Sequence, residues 1–109
     1  MAVSVLTLNN FEDEVLKSKT PVIIDFYADW CGPCQMMKPI FHALSDKFDG
    51  KLKFMRLDTE KDEFLAMKFG IQGIPSLVIV KGNKEVGRIV GYRSEDQLKA
   101  QINEVLKKI

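Results

Sequence analysis

The chain has 109 residues, 46% hydrophobic and 28% charged, with a formal net charge of +1. That is enough for one domain over residues 1–109 and for an apolar core that needs no cross-link to hold it. The balanced charge shows neither the basic field of a nucleic-acid binder nor an acidic tail. The longest apolar runs, LVIV at 77–80 among them, are far too short to span a bilayer.

The first residues, MAVSVLTLNNFEDEVL, lack a basic stretch followed by a long apolar one, so no export leader is expected and the expected location is cytoplasmic. Residues 3–8 (VSVLTL) alternate as a strand does. The next ten predict a helix capped by Asn9 or Asn10, with Phe11, Val15 and Leu16 on one face. Pro21 ends it, and VIIDFYA at 22–28 is a β-branched and aromatic strand.

From Gly32 to about Phe48 the pattern is helical, with Pro33 in the first turn, where no backbone N–H is required. Met37, Ile40, Phe41, Leu44 and Phe48 form its apolar face, and Pro39 is expected to kink it. A strand at 51–58 and a short helix at 60–69 follow, with Gly70 in the C-cap position. SLVIV at 76–80 reads as a buried strand, turned by Gly82-Asn83 into a second strand at 85–90. Ser94 and Gln97 predict a capping box for the last helix, whose stripe is Leu98, Ile102, Val105, Leu106 and Ile109. The order β-α-β-α-β-α-β-β-α predicts an α/β fold in three layers: a central mixed sheet, parallel with an antiparallel hairpin, covered by helices on both faces.

The only two cysteines, Cys31 and Cys34, lie in the stretch WCGPC at 30–34. A disulfide across so short a loop would constrain the unfolded chain little, so a structural staple is a poor explanation. Structural zinc needs four ligands, and the one histidine, His42, lies about 12 Å further along the same helix, so no metal site is expected. There remains reversible redox chemistry. Residues at i and i+3 of a helix start are within disulfide reach. The free N–H groups and positive dipole end there favour a thiolate at Cys31, the more exposed sulfur and the expected nucleophile. Cys34, one turn in, is then the resolving thiol.

The stretches DFYADWCGPC (25–34), GIPS (73–76) and VGY (90–92), in this order and on these elements, resemble the thioredoxin family over essentially the whole chain. The resemblance implies the thioredoxin fold and a protein-disulfide reductase in which Cys31 attacks a target disulfide and Cys34 resolves the mixed disulfide. It implies no bound cofactor beyond the redox-active Cys31–Cys34 disulfide, disulfide-containing target proteins and a thioredoxin reductase as partners, and a monomer that binds neither nucleic acid nor membrane.

It also assigns supporting residues. Asp25 interrupts an apolar strand, and a buried unpaired carboxylate is costly. In the family the matching aspartate lies beneath the disulfide and exchanges a proton with the resolving cysteine, and burial would raise its pKa into a useful range. Arg56 stands where lysine is frequent. It cannot shed a proton; either it approaches Asp25 and holds that pKa down, or it snorkels to solvent. Pro75 after Ile74 matches the family's cis-proline, with Ile74 offering backbone bonds to an extended target segment. Gly32 and Pro33 complete the redox turn, and Trp30, Gly32, Pro33, Ile74, Pro75 and Gly91 match the family's apolar contact patch. Tyr27, Gln35 and Tyr92 depart from residues frequent in the family, and Gln35 removes a positive charge beside the thiols; these departures bear on partner preference and redox potential and not on the reaction class, and His42 is given no role. Two rival readings remain: an oxidase or isomerase running the same chemistry in the other direction, disfavoured by Gly-Pro between the cysteines, and a non-enzymatic partner subunit of the same fold.

Overall fold

The computed structural model describes residues 3–109. Five strands form one sheet in the order β1-β3-β2-β4-β5, where β1 is Val3–Val5, β2 Val22–Tyr27, β3 Lys53–Asp58, β4 Ser76–Lys81 and β5 Lys84–Val90. β1 and β2 both pair parallel with β3, whereas β4 runs antiparallel to β2 and β5 antiparallel to β4. The step from β3 through α2 (Glu63–Lys68) to β4 therefore makes no parallel pair; the chain crosses the sheet and re-enters beside β2 from the opposite end.

Helices α1 (Gly32–Lys47) and α3 (Glu95–Lys107) cover one face. There Met37, Phe41 and Leu44 of α1 and Leu98 and Ile102 of α3 pack on Ile23, Phe54, Leu77 and Ile79. The other face carries Val22, Ile24, Phe26, Met55, Leu57 and Val78, closed by Phe11, Val15 and Leu65. Period-2 alternation sends each strand's side chains to both layers, so the central strands are largely apolar on both sides, with Asp25 the buried charged exception on the face that α1 covers.

The segment after β1 departs from expectation. It forms a single wide turn, Glu12–Leu16, closed by an i→i+5 bond from Lys17 N to Glu12 O (2.9 Å), and β1 stops at Val5. Asn10 is no N-cap: its Oδ1 accepts from Thr7 N (2.8 Å) and its Nδ2 donates to the Val5 carbonyl (2.9 Å). These bonds end the strand and hold a tight turn instead. Phe11 and Val15 are buried, but Leu16 is exposed. α2 likewise starts three residues later than the periodicity predicts, because the Asp58 carboxylate takes the Glu60 amide into a turn first.

The glycine and capping signals act as expected. Gly70 follows α2 with φ +64°. Gly82, also at φ +64°, turns the hairpin between Lys81 and Lys84. Ser94 accepts from Gln97 N (3.3 Å) while the Gln97 side chain accepts from Ser94 N (3.2 Å), a complete capping box. α1 continues through Pro39.

Candidate active site

The site is built where β2 ends and α1 begins. After Tyr27 the chain turns, with Cys31 N donating to the Ala28 carbonyl (3.2 Å). Cys31 is extended (φ −86°, ψ 113°) and is the N-cap of α1: its Sγ accepts from Cys34 N at 3.2 Å. The sulfur thus sits where a serine or aspartate oxygen would normally satisfy a free amide. Pro33 occupies the first turn, where its missing N–H costs nothing. Gln35 ties the turn from the other side, its Nε2 donating to the Asp29 carbonyl (2.8 Å).

Cys31 and Cys34 are joined in a disulfide with Cα atoms 5.2 Å apart. Cys34 is fully buried and Cys31 keeps 4% of its surface. Ala28 completes this small cluster, and Tyr27 and Ile74 pack against it. The Ile74 carbonyl oxygen lies 3.8 Å from Cys31 Sγ. The Ile74–Pro75 peptide is cis. Gly91, at φ +97°, donates its N–H to the Pro75 carbonyl (2.8 Å) and joins this loop to the end of β5. Around the disulfide, Trp30, Gly32 and Pro33 are exposed, Ile74 and Gly91 are half-buried, and Pro75 is buried beneath them. Trp30 stands 70% exposed, its Nε1 donating to Glu60 Oε2 at 2.6 Å.

Below the redox turn, on the face that α1 covers, the β2–β3 register sets Asp25 opposite Arg56. Asp25 is wholly buried, and Arg56 Nε donates to its Oδ2 at 3.0 Å, while Oδ1 has no partner among the described residues. Burial pushes the Asp25 carboxyl up to about 6, and the charge and hydrogen bond of Arg56 hold it from rising further. Of the two courses open to Arg56 from sequence, approach to Asp25 is the one taken. The Arg56 guanidinium also lies over the Tyr27 ring, its Cζ 3.7 Å from the ring centroid.

His42 is exposed on α1, and its pKa is lowered by burial, then by Arg56 and Lys38. Among the described residues no three His, Cys, Asp or Glu side chains are grouped closely enough to hold a metal ion.

Sequence reasoning missed Glu60, the anchor of Trp30, and Tyr27, the platform of Arg56. Tyr27 carried a signal, since it lies two residues from Asp25 and so on the same side of the strand. Glu60 carried none.

The thioredoxin family model matches residues 2–104. The chain is 39% identical over 90 residues to "Thioredoxin 1" of Nostoc sp., covering 83% of this chain and 84% of that protein. It is 36% identical over 106 residues to a thioredoxin of Alicyclobacillus acidocaldarius, covering 97% of this chain and all of its relative. A rice protein named "Thioredoxin Y, chloroplastic" is 39% identical over 101 residues, which span 93% of this chain and 60% of that one.

The chain belongs to the thioredoxin family. Its five-stranded mixed sheet between helices is the thioredoxin fold. Like its relatives it is a thiol–disulfide oxidoreductase, working by dithiol–disulfide exchange through the Cys31–Cys34 pair. Thioredoxins need no cofactor beyond this redox-active disulfide, and their chemistry implies disulfide-containing targets and a reductase. No helix among the described residues is long and apolar enough to cross a membrane.

Proposed function

We propose that the protein is a reductase of disulfides in other proteins, with Cys31 as nucleophile and Cys34 as resolving thiol. The observation that carries this is the hydrogen bond from Cys34 N to Cys31 Sγ at the start of α1. In the reduced protein the same donor and the helix dipole would stabilise a Cys31 thiolate and leave the buried Cys34 protonated. The Cys31 thiolate bonds one target sulfur and expels the other as a thiolate. Cys34 then loses its proton and bonds Cys31, and the second target sulfur departs. Two electrons pass to the target, and the Cys31–Cys34 disulfide is left.

Asp25, buried on the face beneath α1 with its pKa raised towards neutrality, is the group suited to take the Cys34 proton. Gly32 and Pro33 shape the redox turn, and Arg56 sets the charge of Asp25. The exposed Trp30 and the half-buried Ile74 and Gly91, supported from beneath by Pro75, offer an apolar ledge on which an extended target segment lies alongside Ile74. On this reading the 109 residues act as one domain and as a cytoplasmic monomer, re-reduced by a thioredoxin reductase, with no bound cofactor or metal and no affinity for nucleic acid or membrane.

Two measurements test it. Equilibration of the Cys31/Cys34 pair against a dithiol buffer gives its potential, each 30 mV corresponding to about 1.4 kcal/mol. A couple more reducing than glutathione is expected; a clearly more oxidising one would move the reading to an oxidase or isomerase. Cys31→Ser should bring target reduction to background, whereas Cys34→Ser should accumulate a mixed disulfide with the target. Full biological activity in Cys31→Ser would point to a non-enzymatic subunit.

A further inference from the structure

The Asp25–Arg56 pair is asymmetric. One carboxylate oxygen, Oδ2, takes the single bond from Arg56 Nε (3.0 Å), and the other, Oδ1, is buried without a partner among the described residues. An arginine offers five donors in a rigid fork and commonly grips a carboxylate with two of them. Here only Nε bonds the carboxylate, and the guanidinium carbon lies over the Tyr27 ring, 3.7 Å from its centroid. Tyr27 reaches this position because it stands two residues beyond Asp25 on β2, on the same face of the sheet. Tyr27 also packs on the Ala28–Cys31–Cys34 cluster. Tyr27 thus touches both the disulfide cluster and the cation of the ion pair.

We propose that Tyr27 is a positioning residue of the exchange reaction: its ring fixes the Arg56 guanidinium so that only Oδ2 of Asp25 is bonded, leaving Oδ1 as the oxygen that accepts and releases the proton. The proposal rests on the reading that Asp25 receives the Cys34 proton. Without the ring, a long flexible arginine at the edge of the site turns towards water. Negative charge on Asp25 then loses its one partner. With the ring, the cation is held to one side, and the proton goes to the oxygen that faces no cation. In the resolving step the Cys34 S–H bond breaks and its proton moves to Oδ1. The sulfur left behind bonds Cys31 Sγ as the target thiolate leaves, and Oδ1 then releases the proton to that thiolate or to water.

The neighbouring charges leave this role to Arg56. Asp29 and Asp58 act on Tyr27, whose hydroxyl pKa is raised first by burial. Burial lowers the pKa of His42 on α1, and Arg56 of β3 and Lys38 lower it further. Among these groups only Arg56 bonds the Asp25 carboxylate.

The experiment follows the Asp25 carboxyl by carbon NMR through a pH titration of the oxidised full chain, in which the cysteines do not titrate. It compares the wild type with Tyr27→Phe, Tyr27→Leu and Arg56→Met, each first shown to be folded by its amide spectrum. Tyr27→Phe keeps a ring beneath the guanidinium and should titrate as wild type. Tyr27→Leu should raise the midpoint, with at least threefold tighter proton binding, and Arg56→Met should raise it further. A folded Tyr27→Leu protein that titrates at the wild-type midpoint overturns the proposal, as does a Tyr27→Phe protein that shifts as far as Tyr27→Leu. The pH profile of target reduction by the same variants separates the two layers of the argument. A profile that follows the carboxyl midpoint supports both. A moved midpoint with an unmoved profile supports the Tyr27–Arg56 arrangement and overturns the proton-transfer role of Asp25.

Discussion

The two faces of the sheet are made by alternate residues of the same strands, yet they are used differently. Behind the sheet, Val22, Ile24, Phe26, Met55 and Leu57 form an unbroken apolar surface. On the face beneath α1, Ile23 and Phe54 begin the same way, but the next positions towards the disulfide are Asp25 and Arg56. Burying that pair costs desolvation that the apolar face never incurs. The contrast shows a fold held chiefly by one face and by the far end of the other, which can then carry an unfavourable pair on the side of the redox turn.

The largest expected effect lies on the apolar face. Phe26 is fully buried, its ring 5.4 Å from that of Phe69. Phe26→Ala should lose about 3–5 kcal/mol by denaturant unfolding, the usual range for deleting a buried aromatic ring. The folded fraction should keep its exchange rate per molecule; a loss of that rate in folded protein would break the division between the faces.

The charged face should respond with the opposite sign. The Asp25 carboxyl titrates at about 6 in the folded chain against an ordinary 3.8. Between these pH values the folded state holds the proton more tightly than the unfolded chain, so stability falls as pH rises from about 4 to about 6. The gap is about two pH units, worth about 3 kcal/mol at pH 7. Asp25→Asn keeps an oxygen for Arg56 and removes this penalty. It should raise stability at pH 7 by about 2–3 kcal/mol, flatten the unfolding free energy across pH 4–6, and slow target reduction. Unchanged pH dependence in that variant would show that the buried carboxyl is not what sets it.

A smaller effect sharpens the picture of how the helices lie on this face. A Cβ added at Gly87 of β5 would come 2.7 Å from Val105 Cγ2 of α3. Gly87→Ala should therefore cost about 1–2 kcal/mol, read as a lower Tm, by pushing α3 outward.

Much of this was legible in the chain where a local signal had no competitor. Ser94 and Gln97 cap α3 as a pair, Gly82 supplies the hairpin's positive φ, and Pro33 opens the redox helix. The sequence failed where a side chain had two possible uses. Asn10 looked like a cap and instead bonds Thr7 and Val5, which shortens both the strand before it and the helix after it. The antiparallel entry of β4 beside β2 depends on the path of the whole chain and left no local mark. At the site, the thiols and the odd aspartate stood out as residue types in the wrong company. Glu60 emerged only when folding brought it to Trp30, and Tyr27, although it shares a strand face with Asp25, only when folding brought Arg56 to its ring.

Cys31 Sγ caps α1 by accepting the Cys34 amide, so the atom proposed as the nucleophile is also a fastening of the scaffold. Substitution therefore separates two demands that one atom meets in the native chain. Serine keeps an acceptor at the helix start and loses the nucleophile, whereas alanine loses both. Serine is accordingly the replacement that silences the chemistry with the frame intact, and a comparison of the two would divide the work of this sulfur between architecture and reactivity.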